Sequence, residues 1–179
     1  TIYAPDCYNK LGTYSQMNPP IRDKTHYDRL WYAVKNNLND TIGSDHAPHL
    51  KKKKEKIYPN SPSGMPGVQT LVPVMLNHVN EGRLTLEQFM NFVCENPVKI
   101  FGIKDKGYIK QGFDADFTIV DLNKVIEIKN ENIQSKCGWS PFNGYKFKGT
   151  PVATIVNGDI KMKDGKILGE PKGQPIVFK

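Results

Sequence analysis

Two dipeptides, Asn157-Gly158 and Asp164-Gly165, do most to limit what this chain can fold into. Asn-Gly and Asp-Gly are strong signals for a two-residue hairpin, because both central residues must take positive φ. Val152 to Val156 precede the first pair and read as a strand, and Asp114 to Asp121 read as another. Upstream of about residue 104 the period is different. Tyr27, Leu30, Trp31 and Val34 recur at i, i+3, i+4 and i+7, one face of a helix over 24–37 that Asp23 or Thr25 can cap. Val68, Leu71, Val72, Met75, Leu76 and Val79 repeat that spacing, and Gly82 closes the second helix. Thr85 and Gln88 form a capping box for a third, with Phe89, Phe92 and Val93 facing inward. Asn96-Pro97 is expected to interrupt it, with one more turn from Val98 to Phe101 stopped by Gly102. Strand-and-helix before about 104, and strands and turns after it, is the expected division.

Bulk properties narrow the function classes. A chain of 179 residues holds one domain or one and a half. No run approaches the ~18 consecutive apolar residues of a membrane span, and no signal-peptide pattern opens the chain. Cys7, Cys94 and Cys137 are scattered and form no CxxC pair, which fits a reducing cytoplasm. Much of the net charge of +7 comes from Lys51 to Lys54 and Lys56. That run has no interleaved aromatics and no groove-reading helix beside it, so it reads as a solvated loop and not as a nucleic-acid surface. The first residue is Thr1 rather than Met, so the chain is expected to begin inside a longer protein or after processing.

The stretch richest in chemistry is GSDHAPH, residues 43–49. Thr41 to Ser44 read as a short strand ending at Asp45, and the strand's C-terminal end is where parallel α/β folds build their sites. A carboxylate there can bind a divalent cation or move a proton; it can equally cap the following turn. His46 and His49 fit ligands or anion contacts, and fit packed or surface imidazoles as well. Residues 50–67, rich in lysine, proline, glycine and serine, read as a long loop.

Several blocks in order narrow these alternatives: SQMNPPIR at 15–22, GSDHAPH at 43–49, PSGMPGVQT at 62–70, NPVKIFGI at 96–103, KGYIKQGFDADFTIVD at 106–121, SKCGWSPFNG at 135–144 and TIVNGDIKMKDGKI at 154–167. Together they resemble the C-terminal portion of the dihydroorotase family, within the metal-dependent amidohydrolase superfamily. The resemblance covers nearly the whole chain. It implies an α/β fold class: the C-terminal part of a (β/α)8 TIM-type barrel over residues 1–103, followed over 104–179 by strands of a small β-sandwich domain. A whole barrel takes ~250 residues, so the rest would lie outside this chain.

The resemblance also implies a chemistry, the reversible zinc-dependent interconversion of N-carbamoyl-L-aspartate and dihydroorotate in pyrimidine biosynthesis. Two zinc ions per complete site are implied, with most ligands outside this chain. Asp45 matches the residue that binds one metal and shuttles the proton. Asn18, His49, Ser63 and Gly64 match substrate-binding positions, and His46 matches a position without a ligand role. Arg22 reads better as a salt bridge than as a carboxylate clamp. Trp139 and Phe142 read better as core than as a substrate patch. A cytoplasmic homodimer, with or without aspartate transcarbamoylase as partner, is the implied assembly, with no nucleic acid and no membrane. The rivals are a dihydropyrimidinase, hydantoinase or allantoinase, and a non-catalytic homologue serving as a structural partner of aspartate transcarbamoylase. The APH that follows Asp45-His46 and the SKCGWSPF block favour dihydroorotase over the other cyclic amidohydrolases.

Overall fold

The computed structural model describes residues 6–179; residues 1–5, the start of the expected barrel portion, lie outside the described residues. The chain forms two compact units, each assembled from separate stretches. The first comprises Thr1–Leu38, Gly43–Leu71 and Glu127–Phe147, and the second Asn39–Ile42, Val72–Ile126 and Lys148–Lys179. No described helix is long and apolar enough to cross a membrane.

The first unit carries helices α1 (Cys7–Leu11), α2 (Lys24–Lys35) and α3 (Lys51–Lys54). Asp23 caps α2, its carboxylate accepting from the backbone N–H groups of Thr25 and His26. The expected apolar face is present, with Tyr27 edge-on to Trp31, yet no residue of α2 is buried and Leu30 stays 54% exposed. The lysine run departs from expectation. Lys51 to Lys54 form a single helical turn rather than a solvated loop, and Lys54, the last residue of that turn, is fully buried. Trp139 and Phe142 are core residues, in keeping with the packing reading.

The second unit is built on α4 (Leu71–Asn80), α5 (Leu86–Met90), α6 (Asn96–Phe101) and most of a four-stranded sheet. The sheet runs β1 (Phe117–Glu127), β2 (Lys146–Val156), β3 (Asp159–Lys163) and β4 (Lys166–Ile167), in that spatial order. Both expected hairpins form. Val156 faces Asp159 across Asn157 and Gly158 at φ 49° and 81°, and Lys163 faces Lys166 across Asp164 and Gly165 at φ 47° and 79°. Positive φ at both central residues is the turn whose twist matches antiparallel strands.

Two asparagines dock α4 on β2. Asn77 Oδ1 accepts from Lys148 N at 2.9 Å, and Asn80 Nδ2 donates to Lys148 O at 3.0 Å. Gly149 makes that approach possible, because a Cβ there would lie 2.7 Å from Leu76 Cβ. Val74, Met75, Leu76, Leu84, Phe89 and Phe92 fill the core of this unit.

The Thr85–Gln88 capping box is complete. The helix it starts is not interrupted at Asn96-Pro97. A wide π turn over Asn91–Glu95 leads straight into α6, with Asn96 N–H donating back to Asn91 O and Pro97 in the first turn of α6. Gly102, left-handed at φ 62°, ends the run as expected.

The expected strand at Thr41 to Ser44 does not form. A parallel strand takes its hydrogen bonds from neighbours alongside it. Here one rung is present, a parallel bridge between His46 and Met65, with Ala47 N donating to Met65 O at 3.0 Å.

Candidate functional site

The GSDHAPH turn lies against the 63–68 segment within the first unit. Its two histidines do different things. His46 is half-buried, and its Nδ1 accepts from Gly67 N at 3.0 Å and from Val68 N at 3.4 Å. A nitrogen that accepts carries no proton, so the neutral ring holds its proton on Nε2. This imidazole pins one loop to another.

His49 is tied at both ends. Its Nε2–H donates to Ser63 O at 3.0 Å, and its backbone carbonyl accepts from Trp139 Nε1 at 2.7 Å. The ring is oriented by these bonds, and Nδ1 is the edge left to meet a ligand.

Gly64 closes the arrangement. It is buried at φ 136°, and its N–H donates to Gln16 O at 2.9 Å. A Cβ at this position would lie 2.5 Å from Ala47 O and 3.2 Å from His49 Cδ2. Sequence reasoning expected a glycine that lets a ligand approach the backbone; the geometry shows first a glycine that lets the Ala47–His49 backbone approach. Gly64→Ala should therefore destabilise the protein by about 2–5 kcal/mol, adding left-handed strain to overpacking. The denaturant midpoint of the complete protein checks this, and an unchanged midpoint would contradict the close-contact account.

Hydrogen bonds thus bring together His49, Ser63, Gly64 and the Gln16 end of the segment that carries Asn18. Asn18 itself is exposed, two residues beyond Gln16. Asp45 is exposed at φ 44°, and its carboxylate makes no hydrogen bond or ion pair among the described residues. It caps no turn. Aspartate is among the few side chains that tolerate a left-handed backbone, and the carboxylate is left available to a ligand. Arg22 is exposed and makes no ion pair among the described residues.

A zinc centre needs three or four protein ligands. Among the described residues no group of three or more histidines, cysteines, aspartates and glutamates stands close enough to hold a metal. Asp45 offers one ligand, so the residues present do not by themselves make the centre that the resemblance implies.

A cavity of about 370 Å³ opens beside His46, lined also by Gly67, Gln69, Ile133, Ser135 and Trp139. It includes none of Asn18, Asp45, His49, Ser63 and Gly64, and so is separate from the expected substrate contacts.

Sequence reasoning missed Lys54, Gln16 and the bond from Trp139 to His49. Lys54 Nζ donates to Gln16 O at 2.9 Å and to Pro62 O at 2.8 Å, and burial pushes its pKa below the ordinary lysine value. Tyr14 packs edge-on to Trp139 at 4.8 Å and donates to Glu55, and burial, then that hydrogen bond, push its pKa up to about 12.

Comparison with known proteins agrees with this architecture. The amidohydrolase family model matches residues 21–161. A dihydroorotase from Pyrococcus furiosus is 40% identical over 161 residues, covering 90% of this chain and 37% of that protein. An L-hydantoinase from Paenarthrobacter aurescens is 38% identical over 170 residues, covering 92% of this chain and 37% of its own. Among solved structures, L-hydantoinase (dihydropyrimidinase) from Arthrobacter aurescens superposes with a TM-score of 0.88 at 36% identity, over 94% of this chain and 38% of that one. The chain belongs to the amidohydrolase family, and its α/β fold class is that of part of the family's TIM-type barrel joined to strands of a small β domain. It spans a little over a third of the length of the relatives it matches.

Proposed function

We propose that this chain is part of a cyclic amide hydrolase, specifically a dihydroorotase, and supplies that enzyme's proton-shuttling carboxylate and part of its substrate cradle. The observation that carries the reading is the bonded set His49–Ser63 and Gly64–Gln16, formed beside an aspartate whose carboxylate is left unused. With the reading goes the division into a barrel portion at 1–103 and a β-sandwich portion at 104–179. So does a supply of the remaining metal ligands from residues outside this chain.

On this reading water adds to the ring amide carbonyl and the C–N bond breaks. Asp45 takes a proton from the attacking water and hands it to the departing ring nitrogen, giving a carboxylic acid and a free ureido nitrogen; ring closure is the reverse. His49 Nδ1 accepts from a ring N–H, and the Asn18 amide donates to the carboxylate of the ring. The backbone at Ser63 and Gly64 borders it.

Hydantoin opening is the second reading, favoured by the hydantoinase resemblances in sequence and structure. The two substrates differ in ring size and in the carboxylate, which hydantoin lacks. Steady-state hydrolysis of dihydroorotate and of a 5-substituted hydantoin by the complete enzyme separates them. A kcat/KM at least ~10-fold higher for dihydroorotate is expected, about one hydrogen bond to a charged group. The reverse preference would replace the first reading with the second.

A further inference from the structure

We propose that Lys54 is a positioning residue for substrate binding, its buried ammonium tying the segment that leads to Asn18 to the segment that carries Ser63 and Gly64. The inference rests on the reading above for what those segments bind, and on the geometry for the tie itself. Lys54 is 0% exposed, unlike the rest of its lysine run. Burying an ammonium is costly unless its protons are taken up by good acceptors. No carboxylate pairs with it among the described residues. Two backbone carbonyls do the work instead, Gln16 O at 2.9 Å and Pro62 O at 2.8 Å, with the Trp139 ring centroid 6.0 Å away.

Those acceptors sit on the segments that the site needs held. Gln16 O also accepts from Gly64 N, so one carbonyl joins Lys54 to the glycine that borders the ring. Pro62 immediately precedes Ser63, whose carbonyl orients His49. Trp139, under the ammonium, donates to the carbonyl of His49. The lysine's own backbone is fixed as well, its carbonyl accepting from the Thr13 and Ser61 hydroxyls. A neutral side chain of the same length would fill the space but release both carbonyls.

The test compares Lys54→Met and Lys54→Arg with the wild-type complete enzyme. Lys54→Met should raise KM for dihydroorotate at least ~10-fold, the share of one hydrogen bond to a charged group. It should leave kcat and metal content near wild type and speed amide exchange at Gly64. Lys54→Arg, which keeps charge and donors, should recover part of the KM. Should Lys54→Met fail to fold, Lys54→Leu, which also lacks a donor, is read in the same way. Unchanged KM would overturn the proposal, as would unchanged exchange at Gly64. A fall in kcat at constant KM would overturn it too, by placing the ammonium in the chemistry. If the wild-type enzyme opens no cyclic amide, the functional reading fails separately, and exchange at Gly64 still decides whether Lys54 holds the two segments.

Discussion

Asp45→Asn in the complete enzyme should slow ring opening by ~10²–10⁴-fold, the usual share of a general base, with the fold intact. The structure explains why the two effects separate. The Asp45 carboxylate is exposed and makes no hydrogen bond or ion pair among the described residues, so the change removes no internal contact there. Asparagine also accepts the left-handed backbone at φ 44° that most residues resist. What is lost is the ability to take a proton and return it, together with the charged oxygen that this reading offers to a metal. Circular dichroism and thermal melting should match wild type while turnover collapses. Near-normal turnover would mean that the carboxylate is a bystander.

His49→Ala should depress kcat/KM by roughly 5- to 150-fold, the ~1–3 kcal/mol cost of leaving a ring N–H in the closed site without its acceptor, at ~1.4 kcal/mol per decade. Metal content should not change, because the imidazole faces Ser63 and the proposed substrate. The tautomer sharpens this expectation. Nε2–H is committed to Ser63 O, so only Nδ1 is offered to the ring. His49→Gln can place an amide N–H near Ser63 O without replacing Nδ1, and should preserve loop order while binding stays weak. Loss of an equivalent of metal in His49→Ala would make it a ligand, and unchanged kinetics would make it a bystander.

What the sequence made legible was local. Asn157-Gly158 and Asp164-Gly165 specify their turns through the φ values that those residues accept. Thr85 and Gln88 close a box three residues wide, and Asp23 caps its own helix. What it hid was non-local. Thr41 to Ser44 have the composition of a strand, but a strand is made by its neighbours, and one rung at His46 is all that forms. Lys54 is chemically identical to the lysines before it; its burial depends on carbonyls at Gln16 and Pro62, which no run of lysines announces. The proposed site residues rest on family resemblance and not on spacing. Two histidines and an aspartate in seven residues fit several chemistries, and the hydrogen bonds then assign His46 and His49 to different tasks.

The central claim is a division of labour: Asp45 acts on the reacting atoms, while His49 and its neighbours hold the ring. Calorimetric titration of the complete enzyme with orotate, a planar analogue that the reaction cannot open, separates the two most directly. Asp45→Asn should bind orotate within about three-fold of wild type, because no hydrogen bond to the ring is removed. His49→Ala should bind it at least ~10-fold more weakly. Weak binding in Asp45→Asn together with unimpaired binding in His49→Ala would contradict the division.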